Sequence, residues 1–593
     1  MSTQELLLLL APGLPALLAI LWPLKGLRDP LMGLAPWAGV PALLLALHPG
    51  GLGASAEFPA IFTGLQLTLD APARPFLLLT GLLWVVAGAF SRAYHRDDGN
   101  KESYFGFFVL TMAGNVGLVL AADALSFYLF FAWMTFAAYG LVIHARSPDA
   151  LRAGRVYIVL AVLGELAILT ALVALGWAAG GAPTFGTSLE LAWQDLDTFG
   201  YAPVVALLVV AGFGVKAGLI PLHLWLPLAH PVAPTAASAL LSGAMIKAGL
   251  LAWIRYLPGD QALPLLALGL AILGVAAAFY GVVMGVAQDD PKTVLAYSSV
   301  SQMGYMALGT ALLLHDPGWA PLALAAVLLY AMHHGLAKGA LFLAVGVGDR
   351  VRTEGWRGLV LLGAALPALA LAGAPLSTGA QAKSALKEAM SQFTPGWYGV
   401  LDPLLLVAAA GTTILLTRFI FTLRHRMAAS ADLGGESGTK SVPWGLILPW
   451  GLLVLLGAGG QLWLLVFAPI PDGVELPGAF SNPLGSMGPI VLGGLAAWAV
   501  WVRPGLLGSV RNLRIPAGDL VVPLEQVIRW VGSPPLEKVI AQSAQRLKRL
   551  RKTQLWSHAQ AAWVAERDLY LTRGPVVALL LLALALGLAF FLP

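Results

Sequence analysis

No cysteine occurs among the 593 residues, and only 11% of them are charged. The first absence excludes disulfides, thiolate zinc sites and iron–sulfur ligation within the chain. The second is less than half the roughly 25% charge of a soluble globular chain, so a soluble multidomain protein is excluded. No Gly-rich phosphate loop follows a strand and no soluble domain is evident, so no flavin, nucleotide or other cofactor is expected. What is present is apolar. Hydrophobic residues make up 58% of the chain, and runs of about 18 residues or more recur from end to end, each long enough to cross a hydrocarbon core roughly 30 Å thick. The stretch 6–21 contains prolines and has neither a basic flank before it nor a small-residue cleavage site, so it reads as a retained span. The net charge of +5 does not point to nucleic acid, because the basic residues sit beside apolar spans, where they act as topology signals.

A window of about 20 residues gives about sixteen transmembrane helices in an all-α integral membrane protein. They lie near 4–23, 31–48, 72–91, 103–122, 124–144, 155–179, 200–221, 232–257, 261–286, 293–314, 319–347, 357–389, 399–424, 443–468, 486–503 and 574–592, the span 357–389 being broken. Loops after odd-numbered spans are basic, as in Arg92, Arg96 and Lys101 or Arg350, Arg352 and Arg357. Loops after even-numbered spans carry mostly acids, with Arg74, Arg255 and Lys387 the basic residues near that face. The positive-inside rule then puts the odd loops in the cytoplasm of a bacterial inner membrane and both termini on the periplasmic side.

The expected organisation is N-terminal helices (1–102), a first repeat (103–257), a second repeat (261–424), additional helices (425–515), an amphipathic lateral helix (516–573) and a last span (574–593). The amphipathic part, 535–570, mixes Leu547, Leu550 and Trp556 with Lys548, Arg549 and Arg551, and should lie in the cytoplasmic interface plane. It either binds anionic lipid alone or braces neighbouring subunits. Gly212 to Pro221 and Gly373 to Lys383 each place a lysine in an apolar span interrupted by Gly and Pro. Five spans separate them, an odd offset that inverts one relative to the other, as in inverted five-helix repeats with sites at broken helices.

Lys216, Lys247, Lys338, Lys383, Lys387 and Arg418 fall within spans. A lysine at a helix centre costs about 2.5–3.5 kcal/mol on insertion scales. Lys387 and Arg418 lie near span ends, where snorkelling suffices, whereas Lys216, Lys247 and Lys338 have apolar flanks on both sides. A buried lysine can exchange its proton near neutral pH when a neighbouring charge moves, which is what a pump or antiporter needs. His223 and His230 flank a helix break, and His334 shares a helical face with Lys338, so these pairs read as a proton relay. No metal is expected: His333 and His334 point in different directions and have no carboxylate nearby in sequence. Asp289, Asp290 and Lys292 begin a cytoplasmic helix, where capping and transport are equally good readings.

The run from Pro221 through His223, Trp225, His230, Pro234, Ser238 and Ser242 to Lys247 resembles the signature of the antiporter-like subunits. These are shared by respiratory complex I, Mrp-type cation/proton antiporters and membrane-bound hydrogenases. The similarity continues through Asp290–Tyr305 and His334–Phe342, and more loosely through Ser377–Lys383, covering roughly 90–425. The resemblance implies a proton- or cation-translocating subunit of a multi-subunit complex, in contact with other membrane subunits, lipid, protons and Na+. It assigns the lysine of the first half-channel to Lys216, the central lysine to Lys247, the second half to His334 and Lys338, and the terminal lysine to Lys383.

One departure stands out. The family's glutamate on the fifth span falls on Ala132, so Lys216 lacks its expected carboxylate. Glu165 on the next span is the candidate replacement; it could equally be a neutral buried acid or pair with another subunit, or that half-path could be lost. The expected path is therefore Glu165, Lys216, His223, His230, Lys247, His333, His334, Lys338 and Lys383. An Mrp-like antiporter is the first expectation, because Ala132 departs from the complex I pattern. A subunit of an NADH:quinone oxidoreductase or membrane hydrogenase is the second, and a non-pumping membrane partner, as in inorganic-carbon uptake, the third.

Overall fold

The computed structural model describes residues 2–59, 64–391, 395–432, 444–459, 483–502, 515–518 and 520–523. The chain divides into Met1–Ile515 and Pro516–Pro593. The expected lateral helix and the last span at 574–592 lie outside the described residues.

The first unit is built almost wholly of helices. They are α1 (Thr3–Leu21), α2 (Arg28–Leu34), α3 (Val40–Leu47), α4 (Ala73–Tyr94), α5 (Lys101–Leu120), α6 (Ala124–Val142) and α7 (Pro148–Ala179). Next come α8 (Thr187–Thr198), α9 (Ala202–Ala217), α10 (Leu226–Val232), α11 (Thr235–Leu240), α12 (Ile246–Tyr256), α13 (Pro264–Val286) and α14 (Pro291–His315). The series ends with α15 (Ala320–Gly348), α16 (Glu354–Ala372), α17 (Thr378–Ser391), α18 (Pro395–Asp432), α19 (Trp444–Gly459) and α20 (Pro483–Val502). Twelve helical segments among the described residues are long and apolar enough to cross a membrane. The helix α14 falls outside that set because serines, a glutamine and a lysine dilute its hydropathy; it is nonetheless buried along nearly its whole length.

Helix starts follow capping chemistry. Asp123 accepts from Ser126 N at α6, Ser147 accepts from Ala150 N ahead of Pro148 at α7, and Asp290 accepts from Thr293 N ahead of Pro291 at α14. Two lysine-bearing regions end on glycines in the left-handed region: Gly218 (φ 73°) closes α9 and Gly373 (φ 95°) closes α16. A β-carbon is disfavoured in that conformation, so glycine sets these breaks. The expected span 200–221 therefore stops at Ala217, and the chain continues through a 3₁₀ turn at Leu222–Trp225 into α10. The span 357–389 divides into α16 and α17. The span near 31–48 is also discontinuous, being a 3₁₀ turn between α2 and α3.

Among the described residues, one two-stranded sheet interrupts the helices. Ser55–Phe58 and Leu65–Thr68 pair antiparallel in the loop before α4, with Ser55 opposite Thr68. Nearby, Arg255 at the end of α12 donates to Asp70 at 2.9 Å and to the Ala121 carbonyl at 2.6 Å. This basic residue on the acidic face thus ties three connections together.

Burial separates interior from peripheral helices. The segment Thr235–Tyr256 has 94% of its apolar window buried within the protein, against 28% for α1. Lys216, Lys247, Lys292 and Lys338 all lie on helices of the interior, where a charged group avoids the acyl chains.

Candidate functional site

The first lysine centre forms where α7 and α9 approach closely. A β-carbon on Gly212 would meet the Gly164 carbonyl at 2.9 Å, so only glycines allow this spacing. The approach puts Glu165 and Lys216 on the wall of one small cavity, together with Thr135, Tyr157 and Trp225. Lys216 Nζ donates to Tyr157 Oη at 2.9 Å, and Tyr157 donates to the Thr135 carbonyl at 2.7 Å. The ammonium also lies 5.1 Å from the Tyr157 ring centroid and 5.6 Å from that of Trp225, within cation–π reach. Glu165 is buried, and neither carboxylate oxygen has a hydrogen-bond partner among the described residues. It therefore shares the cavity with Lys216 without forming an ion pair. Phe131 and Thr135 line this cavity from α6, while the intervening Ala132 does not.

The central centre depends on a second irregularity. A π-helical turn at Leu241–Met245 separates α11 from α12 and redirects the Ser242 carbonyl. Lys247 Nζ donates to that carbonyl at 2.7 Å and meets His334 Nδ1, on α15, at 2.5 Å. Ser242 Oγ meets Ser299 Oγ of α14 at 2.7 Å. One turn further along α15, Lys338 Nζ donates to the Leu295 carbonyl of α14 at 2.8 Å. Lys292 Nζ donates to the Ala233 carbonyl at 2.6 Å, in the break between α10 and α11. Lys247 and Lys292 thus use carbonyls at backbone irregularities, the polar groups that helix interruptions make available in a membrane.

Adjacent histidines on α15 face opposite neighbours. His334 meets Lys247, whereas His333 Nδ1 meets Thr378 Oγ1 of α17 at 2.6 Å. The ring of Tyr330 lies 6.3 Å from His333 and 5.7 Å from Tyr305, and Tyr330 donates to Gln302 Oε1 at 2.9 Å. Lys383 then lies 5.8 Å above the Tyr305 ring and donates to the Ala372 carbonyl at 2.8 Å. That carbonyl ends α16, where the helix dipole favours a cation. Lys383 lines a cavity that also contains Tyr305, Lys387, Asp402 and Ser486. Lys387 pairs with Asp402 at 2.8 Å and is half exposed, outside the buried row.

His223 and His230 pack against aromatic rings. His223 is fully buried, its ring 5.0 Å from that of Tyr280, and His230 stacks on Phe342 at 4.6 Å. At the start of α14, Asp290 caps the helix and pairs with Arg426 at 2.9 Å, while Arg418 pairs with Asp289 at 2.7 Å.

Sequence reasoning assigned no role to Tyr157, Ser299, Tyr305, Tyr330 or Thr378. Within an apolar span a tyrosine or threonine reads as filler, and only its partner across the bundle shows its use. It also gave no role to His95, Asp98 and His144, whose ligand atoms lie within 4.8 Å of one another and form the one such three-ligand group among the described residues.

With this geometry in place, three comparisons bear on the chain. Residues 121–380 match the profile of the NADH:quinone oxidoreductase/Mrp antiporter transmembrane family, a stretch that includes Glu165, Lys216, Lys247, His334 and Lys338 and stops three residues before Lys383. Hydrogenase-4 component B of Escherichia coli (strain K12) is 33% identical over 376 residues, covering 61% of this chain and 54% of its own length. A Na(+)/H(+) antiporter subunit of Alkalihalophilus pseudofirmus is 28% identical over 344 residues, covering 54% of this chain and 66% of its own length. The chain thus spans about half the length of several curated relatives it matches. Among solved structures, a chain of the Mrp complex from Dietzia sp. DQ12-45-1b superposes with a TM-score of 0.72 at 26% identity, covering 97% of this chain and 63% of that one. A chain of the archaeal membrane-bound sulfane sulfur reductase shares the fold, with a TM-score of 0.62 at 22% identity, covering 84% of this chain and all of that one.

Proposed function

We propose, from the match of residues 121–380 to the NADH:quinone oxidoreductase/Mrp antiporter transmembrane family, that this chain is a proton- or cation-translocating subunit of a multi-subunit, Mrp-like antiporter complex. The observation that carries the reading is the 2.5 Å contact between Lys247 Nζ and His334 Nδ1. A lysine and an imidazole in such contact inside a membrane can share a proton that a change in nearby charge moves. Protons pass along Glu165, Lys216, Lys247, His334, Lys338 and Lys383, with His223, His230 and His333 beside the path. Glu165 takes the place of the carboxylate absent at Ala132, a role supported by its position in the Lys216 cavity.

The two halves, 103–257 and 261–424, act as inverted half-channels. In support, each contains a span broken after a left-handed glycine with a lysine beside the break, Gly218 with Lys216 and Gly373 with Lys383. About sixteen spans, both termini on the periplasmic side and a lateral helix bracing partner subunits complete the proposed arrangement.

A second reading has its own support. Hydrogenase-4 component B is more similar to this chain than the Alkalihalophilus antiporter protein is, at 33% against 28% identity. On that reading the chain serves a redox-driven complex whose electron-transfer groups reside in other subunits.

The test uses everted vesicles from an antiporter-deficient, salt-sensitive strain expressing the chain with its neighbouring subunits. Lys216→Ala is expected to abolish proton movement and salt tolerance together; unchanged values would remove the transport role from that half. Dissipation of a preset pH gradient on adding Na+ supports the antiporter reading. Acidification that requires hydrogen or NADH supports the redox-driven one.

A further inference from the structure

Outside the membrane row, two loops of the basic face meet at a cluster of three side chains. His95 follows the last residue of α4, Asp98 lies in the α4–α5 loop, and His144 lies between α6 and α7. His95 Nδ1 and His144 Nε2 both approach Asp98 Oδ2, each at 2.7 Å. The other carboxylate oxygen accepts from the Asn100 backbone N–H at 2.8 Å, which fixes the plane of the carboxylate.

The setting is half enclosed. His95 is buried, with its ring 4.0 Å from Tyr104 and 5.2 Å from His144. Asp98 is a quarter exposed, so one side opens to water. Two imidazole nitrogens and one carboxylate oxygen within 4.8 Å are the donor set of a three-ligand Zn2+ site, which keeps its fourth position for water.

We propose that His95, Asp98 and His144 bind one divalent transition-metal ion of the Zn2+ class and thereby fasten the α4–α5 loop to the α6–α7 connection. The protonation state suits this. Burial, opposed by the Asp98 hydrogen bond, lowers the His95 pKa to about 4, so the ring is neutral at neutral pH, and moving its one proton from Nδ1 to Nε2 frees Nδ1 for a metal ion. Burial raises the Asp98 pKa, but the Asn100 N–H and both imidazoles outweigh it and hold the carboxyl at about 2. The ligand therefore needs no deprotonation.

Two features limit the affinity. The Arg350 guanidinium lies 5.3 Å from the Tyr94 ring centroid and donates to the Tyr94 carbonyl, near enough to disfavour positive charge on His95. His95 Nε2 is buried without a partner among the described residues, so the second contact usual for a ligating histidine is missing.

The test is titration of the purified full chain, with its co-purifying subunits and a tag free of histidine, after chelator treatment. Calorimetry with ZnCl₂ should show one saturable site per chain, and CoCl₂ should give the visible absorption of a four-coordinate ion. Asp98→Asn and His144→Gln should each weaken binding by at least about tenfold. Arg350→Gln leaves the three ligands in place and should tighten it, which keeps the test informative if the ligand variants fold poorly. No saturable binding to the unaltered protein would overturn the proposal and leave a hydrogen-bonded clasp only. Equal affinity in His144→Gln would overturn it too, by placing the ion elsewhere.

Discussion

Lys247 on α12 and His334 on α15 come from segments 87 residues apart and share a hydrogen bond of 2.5 Å in the interior of the protein. Each is held by its own backbone. The π-turn at Leu241–Met245 gives Lys247 a carbonyl at Ser242, and the buried helix α15 carries His334 on one side and His333 on the other. On the proposed reading, a charge arriving at either partner would change which of the two holds the proton.

The Glu165 assignment predicts a rescue. Glu165→Gln removes the carboxylate from the Lys216 cavity and should reduce proton uptake in vesicles about a hundredfold or more, the scale on which positioned proton carriers act. Adding Ala132→Glu, which restores a carboxylate to α6, should recover much of the lost rate. Failure to recover argues that Glu165 is a neutral buried acid or the partner of another subunit.

The terminal lysines should behave differently from one another. Lys383 donates to the end of α16 above Tyr305, whereas Lys387 forms an exposed pair with Asp402. An exposed pair contributes little, typically about 0–1 kcal/mol. Lys387→Ala should therefore leave uptake within about twofold of the starting rate, while Lys383→Ala should abolish it. Equal losses would place both residues on the path.

The loop cluster predicts a pH dependence of stability. His95 has its pKa lowered to about 4, with burial the leading cause. A histidine that stays neutral when folded but protonates when unfolded binds fewer protons in the folded state, so its contribution is fully present above about 6.5, the unfolded value. It is lost as pH falls from there towards 4. Melting midpoints in detergent should decline across that window in chelator, and His95→Gln should flatten the decline. A slope that persists in His95→Gln would assign it to another group.

Much of the framework could be read from sequence because its physics is one-dimensional. Apolar runs marked a multi-span helical chain, of which twelve segments among the described residues are long and apolar enough to cross a membrane, and lysines with apolar flanks stood out against them. The Gly and Pro residues near Lys216 and Lys383 marked breaks that the structure places at Gly218 and Gly373. The rest depends on neighbours across the bundle. Nothing in the local sequence separates the directions of His333 and His334 by partner, and nothing shows that Tyr157 and Tyr305 turn towards lysines or Tyr330 towards Gln302 and His333. The hairpin Ser55–Phe58 with Leu65–Thr68 escaped a reading tuned to runs of about 20 apolar residues, because each strand has four. His95 and His144 are distant in sequence, and only folding brings them to Asp98.

The central claim is that Lys247 and His334 act together in moving ions, and a double-mutant comparison in proteoliposomes tests it most directly. The purified complex is reconstituted with a pH-sensitive dye, and Lys247→Ala, His334→Ala and the pair are measured side by side. The account predicts that each single variant loses nearly all proton movement and that the double variant is no worse, because one shared proton is lost in every case. Proton movement within about twofold of the unaltered complex in Lys247→Ala would contradict it.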